Sequence, residues 1–202
     1  MKYNMMFRGL GMVLQGILKK EIADSAVRKD VQAAYREIVL RAKAVDPSGP
    51  LLGAYGLAAF FIAMNRCDGR TPEENCRILE EGLRKSKIYG IFMGSADSYF
   101  SEKKMAFRRK WSAKTHEEAY QKQFPNDWVV DVLEKTDEYQ FGFDYTQCGV
   151  CKLCREEGCP ELAKYLCRLD YMTTEIMGVG LRRTQTLAEG SDKCDFRFLK
   201  QK

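Results

Sequence analysis

Trp128-Val129-Val130-Asp131-Val132-Leu133-Glu134-Lys135 is followed, after Thr136-Asp137-Glu138, by Tyr139-Gln140-Phe141-Gly142-Phe143-Asp144-Tyr145, and here the hydrophobic period drops from the helical value to two. Trp128, Val130 and Val132 share one face of the first run, and Tyr139, Phe141, Phe143 and Tyr145 one face of the second, which predicts a hairpin with one apolar side. Downstream, Pro160 to Tyr171 returns to helical spacing through Leu162, Ala163, Leu166, Cys167 and Tyr171. Gly178 to Leu187 and Lys193 to Leu199 then read as a second hairpin with Gly190 in the turn. A lone hairpin is marginal in water, so the two ribbons should join as one four-stranded antiparallel sheet with the intervening helix across one face, in ββαββ order.

Upstream of this region the chain reads as helical. Val27, Val31, Ala34, Tyr35, Ile38 and Val39 form a stripe that ends before Asp46-Pro47, and the run Gly53 to Met64 predicts a buried helix ending near Asp68-Gly69. A third helix opens at Thr71-Pro72-Glu73-Glu74, where threonine caps, proline takes the first turn and two carboxylates meet the positive helix end. Lys87 to Ser101 reads as a short helix and a loop, and Glu102 to Gln121 as one further helix closed by Phe124-Pro125. The expected class is α+β, one domain over 1–202, with a helical part at 1–124 and a mixed part at 125–202.

The chain has 45% apolar and 30% charged residues, which is the balance of a globular protein. The net charge of +5 comes from 33 basic and 28 acidic residues, too evenly mixed for a nucleic-acid footprint. Lys103, Lys104, Arg108, Arg109 and Lys110 recur beside Met105, Phe107 and Trp111, which reads as the solvated face of a helix, with an anion or nucleic-acid contact as the alternative. The most apolar stretch, Leu51 to Met64, falls short of the roughly 20 residues that cross a bilayer, and the amino terminus shows no secretory pattern. A cytoplasmic chain with reduced thiols is therefore expected, with no membrane and no nucleic acid as partner. The open sheet edges offer a route to a homodimer.

Six of the eight cysteines lie between Cys148 and Cys194. Cys148, Cys151, Cys154 and Cys159 have spacing suited to an iron-sulfur cluster or a divalent metal such as zinc, while the same three-residue interval on a helix stacks small apolar side chains on one face. Both readings stand at this point.

Thr146-Gln147-Cys148, the run Cys159 to Tyr171 (CPELAKYLCRLDY), Leu181 to Gly190 (LRRTQTLAEG) and Cys194-Asp195-Phe196-Arg197-Phe198 occur in that order. The string resembles the L-2-amino-thiazoline-4-carboxylic acid hydrolase family over residues 144–198. The resemblance implies a hydrolase of a cyclic carbon-nitrogen bond acting on a small-molecule substrate. It puts the family's cysteines at Cys148, Cys167 and Cys194, its acid at Asp170 and its strand arginine at Arg183, with Thr184 and Thr186 beside it. Cys151, Cys154 and Cys159 are additional to the pattern.

Opening such a ring needs an activated water or thiolate, an acid for the departing atom and a cation for the substrate carboxylate. Cys167 and Asp170, three apart on a helix, share a face, and either a thiolate at Cys167 or a water activated by Asp170 could attack. Cys194 falls on the same strand face as Phe196 and Phe198. Arg183 is the expected carboxylate clamp, with Cys148, Thr184 and Thr186 as further substrate contacts. Strict alternation puts Arg183 opposite Thr184 and Thr186, so the three could share a cavity only across a bulge. Each residue also has a plainer role: Cys as core packing, Asp170 paired with Arg168 or Lys164, Arg183 in a surface ion pair. His116 lies on a charged segment and reads as solvent-facing. Two other functions fit the same residues, a non-catalytic small-ligand sensor and a metal or cluster protein.

Overall fold

The computed structural model describes residues 1–200. Its first part is helical: α1 (Met5–Glu21), α2 (Ser25–Arg41), α3 (Leu52–Cys67), α4 (Pro72–Lys85), α5 (Lys87–Met93), α6 (Ala96–Tyr99), α7 (Glu102–Thr115) and α8 (Glu118–Gln123). α3 is the axis of this part. Ala58 to Met64 are buried all round it, as an unbroken apolar run demands, and α1, α2 and α4 pack against it. α4 starts with a reciprocal cap: the Glu74 amide donates to Thr71 Oγ1 at 3.3 Å, and the Thr71 amide donates to Glu74 Oε2 at 2.8 Å.

Beyond α8 come β1 (Val129–Leu133), β2 (Phe141–Gln147), α9 (Gly149–Glu156), α10 (Ala163–Ile176), β3 (Val179–Arg182) and β4 (Cys194–Lys200). The strands form one four-stranded sheet in the order β1-β2-β4-β3, antiparallel at every pair, so the two ribbons join through β2 and β4. Val132 lies opposite Phe143, Phe143 opposite Phe196, Tyr145 opposite Cys194 and Leu181 opposite Phe198, which gathers these side chains on one face. Phe141 and Phe198 stack there at 4.7 Å. α7 packs on β1 and α10 on β3. The other face carries Asp144, held by Lys193 at 2.5 Å and Arg197 at 2.8 Å.

Several boundaries differ from the sequence reading. Glu102 to Gln121 is two helices, because Thr115 Oγ1 accepts the Val130 amide at 3.2 Å and donates to Ser112 O at 2.8 Å, tying the end of α7 to β1. Lys87 to Ser101 holds a second short helix rather than a loop, with Gly94 at φ +80° between the two. α9 adds a helix between the ribbons, and α10 runs on to Ile176 after a 3-10 turn at Pro160–Leu162. The third strand stops at Arg182 because Asp195 Oδ1 accepts the amides of Thr184 and Gln185, each at 2.8 Å, and its Oδ2 the Thr184 hydroxyl at 2.6 Å. Residues 183–186 are thereby drawn off the ladder. Arg108, grouped by sequence with a solvated face, is buried with 7% exposure. Among the described residues no helix is long and apolar enough to cross a membrane.

Candidate functional site

β2 ends at Gln147 and α9 begins at Gly149, so Cys148 is the extended residue between strand and helix. Gly149 permits this join: a Cβ there would lie 2.4 Å from Asn126 O and 2.9 Å from the Trp128 ring. The Cys148 sulfur faces the Cys151 thiol and the first amides of α9, those of Val150 and Cys151. These contacts, the Cys151 thiol foremost, hold Cys148 below the ordinary thiol range despite its burial, and Cys151 is pushed up in return.

α10 supplies Cys167 and Asp170, and Arg183 staples both. Its Nη1 donates to Asp170 Oδ2 at 2.7 Å and its Nη2 to Cys167 O at 3.0 Å, with the guanidinium 5.0 Å from the ring centres of Tyr171 and Phe196. Burial pushes the Asp170 carboxyl up to about 6, partly offset by Arg183. The Asp170 side chain nonetheless keeps 42% of its surface open to water. The carboxylate is thus crowded by protein yet reached by solvent, beside the cleft that its partner Arg183 lines. Burial first, and then the Asp170 charge, push the Cys167 thiol far up, while burial takes Cys194 to about 11 although its sulfur accepts the Leu187 amide at 3.2 Å.

The Asp170 charge opposes ionisation of Tyr89, Tyr99, Tyr145, Cys148, Cys167 and Cys194 alike, so this carboxylate acts on a neighbourhood of phenols and thiols. The structure thus brings together Cys148, Cys167, Asp170, Arg183 and Cys194. Thr184 and Thr186 join Cys167 and Arg183 along an adjoining cleft of about 250 Å³. Alternation would have separated them, but the segment has left the sheet. Their hydroxyls are already engaged, Thr184 with Asp195 and Thr186 with Glu189 at 2.7 Å.

Sequence reasoning did not single out the tyrosines or Asp195. Tyr145 carried a usable signal, since it lies on the apolar strand face three residues before Cys148. Tyr89, bonded to Thr173 Oγ1 at 2.8 Å, and Tyr99 come from short helices without any motif. Asp170 pairs with Arg183 rather than Arg168, which pairs with Glu73 at 2.5 Å. His116 is exposed beside Val130 O and Asp131.

The four-thiol cage considered for Cys148, Cys151, Cys154 and Cys159 does not form. The thiols associate in two pairs: Cys151 turns to Cys148, and Cys154 to Cys159, whose thiol the contact lowers. The three-residue interval on α9 faces Cys151 and Cys154 into the core, which is the packing alternative. Among the described residues no three cysteine, histidine or carboxylate side chains converge as metal ligands would. These residues do not fit a zinc or cluster site.

The model of a family described as L-2-amino-thiazoline-4-carboxylic acid hydrolase matches residues 60–198, a span that includes every residue of this cluster. The chain belongs to that family. No curated protein and no solved structure matches it.

Proposed function

We propose that this protein is a small-molecule hydrolase that opens the ring of L-2-amino-thiazoline-4-carboxylate or a closely related cyclic carbon-nitrogen compound. The observation that carries the reading is the convergence of Cys148, Cys167 and Cys194 on a water-accessible carboxylate, Asp170, in a chain of that family.

The ring carbon to be attacked is bonded to two nitrogens and a sulfur. Water adds to it, a ring bond to sulfur or nitrogen breaks, and the departing atom takes a proton, leaving a carbamoyl-cysteine. Asp170 suits both proton transfers, because a carboxyl titrating at about 6 is ionised enough to accept from water and acidic enough to return the proton to the leaving atom. Arg183 orients that carboxylate. Should a thiolate attack first, Cys148 is the thiol in this neighbourhood whose environment favours ionisation, whereas Cys167 and Cys194 are pushed the other way. The nucleophile role inferred from helix spacing for Cys167 therefore passes to Cys148. Cys167 lines the cleft, and Cys194 is packed beneath the segment that borders it.

The test is release of carbamoyl-cysteine from the aminothiazoline carboxylate by purified protein, followed by mass spectrometry. Turnover is expected in the wild type and loss of it in Asp170→Asn, with the fold retained by circular dichroism. Binding of the compound by folded wild type without product would make the protein a ligand-binding module instead.

A further inference from the structure

α7 presents Met105, Arg108, Trp111, Ser112 and Thr115 inward, and among these Arg108 is the one cation. Its guanidinium carbon lies 4.2 Å from the Tyr99 ring centre and 4.4 Å from that of Phe141, so the planar group is held between two aromatic rings. Nη1 donates to Tyr99 O at 2.7 Å and meets Met105 Sδ at 3.3 Å. Both of these acceptors are neutral, and burial pushes the Tyr99 phenol up to about 12. Among the described residues no carboxylate comes within ion-pair distance, although Arg108 is only 7% exposed.

A buried guanidinium without a counter-charge is costly, and an apolar residue at this inward position would avoid the cost. Arg183, the clamp expected from sequence, is already neutralised by Asp170 at 2.7 Å. The charge of Arg108 is open. From Phe141 the aromatic face of the sheet continues through Phe143 to Tyr145 at 5.4 Å per step and on to Phe196 at 5.3 Å, over which lies the Arg183 guanidinium that binds Asp170. One aromatic sheet face therefore has the unpaired cation at one end and the Arg183–Asp170 pair at the other.

We infer that Arg108 is an anion-binding residue on this aromatic face and receives the carboxylate of a small ligand, the guanidinium fork pairing with its two oxygens while the rest of the ligand extends along Tyr99 and Tyr145 toward Asp170 and Cys148. A planar fork fixed between two rings gives direction as well as charge, which a lysine could not reproduce. The choice of ligand rests on the hydrolase reading, but the anion site itself does not.

The experiment uses L-thiazolidine-4-carboxylate, which keeps ring and carboxylate but has a saturated CH2 in place of the amidine carbon, beside thiazolidine, which lacks the carboxylate. Binding to the full-length protein is measured by calorimetry in wild type, Arg108→Met and Arg108→Lys, with circular dichroism to confirm folding. The wild type should prefer the carboxylate. That preference should fall on the order of 10- to 100-fold in Arg108→Met, the loss of charge-assisted hydrogen bonds, and by an intermediate factor in Arg108→Lys. An unchanged preference in either folded variant, or no carboxylate binding by the wild type, overturns the inference. If the aminothiazoline is turned over and Arg108 proves indifferent, this inference alone falls. If Arg108-dependent binding is seen without turnover, the hydrolase reading falls and the anion site stands.

Discussion

Gly149→Ala tests whether the join between β2 and α9 positions Cys148. The new Cβ would sit 2.4 Å from Asn126 O, at least 0.6 Å inside the 3.0 Å that such atoms respect, and 2.9 Å from the Trp128 ring. Neither neighbour can give way easily. Asn126 donates through Nδ2 to Tyr55 at 2.9 Å and to Glu156 at 2.7 Å, its amide donates to Ala44 O at 3.1 Å, and Trp128 is buried edge-on against Tyr55. Helix α9 must therefore shift. Forcing one methyl into such packing costs about 2 to 3 kcal/mol, and for a chain of this size that lowers Tm by roughly 4 to 12 °C. Calorimetric melting measures the shift, and alkylation at neutral pH with peptide mapping measures what happens to Cys148. The substitution should lower Tm and slow the reaction of Cys148, because the amides of Val150 and Cys151 move with the helix start. A variant with wild-type Tm and wild-type Cys148 reactivity would refute the reasoning.

Two further outcomes follow from the same geometry. In the native protein, limited alkylation near pH 7.5 should label Cys148 and Cys159 before Cys76, Cys167 and Cys194, since thiolate content sets the rate and burial raises the last three; early labelling of Cys167 would contradict the assignment. Asp195→Ala should cost about 2 to 4 kcal/mol in urea unfolding at pH 7, since it strands the amides of Thr184 and Gln185. Burial alone would raise the Asp195 pKa, but its bonds to Thr184 and Gln185 bring it below the ordinary value, so its contribution is present above the unfolded pKa near 4 and lost as pH falls through the folded one. The gap between variant and wild type should therefore close in acid; a gap that widens there would contradict the linkage.

What could be read from the chain follows the range of the forces involved. The cap at Thr71-Pro72-Glu73-Glu74, the buried run of α3 and the alternation on either side of Thr136 are local patterns, and each is realised in the structure. The cluster of Cys148, Cys167, Asp170 and Cys194 was legible only through the ordered motifs, because residues at the β2–α9 join, on α10 and on β4 meet through tertiary packing. Alternation failed at residues 183–187 because a side chain from the next strand, Asp195, outcompetes the ladder for two amides. Arg108 was misjudged for a different reason. Its charge suggested solvent, yet it falls on the inward stripe with Met105, Ser112 and Thr115, and only the aromatic sandwich of Tyr99 and Phe141 explains a cation there. Tyr89 and Tyr99 lie on short helices around Gly90 and Gly94, where periodicity is too brief to assign a face.

The most direct measurement is the pH dependence of kcat/KM for ring opening in wild type and Asp170→Asn. With the Asp170 carboxylate as the base, the wild-type value should rise as pH passes about 6 and level off above it. In Asp170→Asn that limb should vanish and the plateau should fall on the order of 10² to 10⁴-fold. A folded Asp170→Asn variant with the wild-type profile would contradict the account.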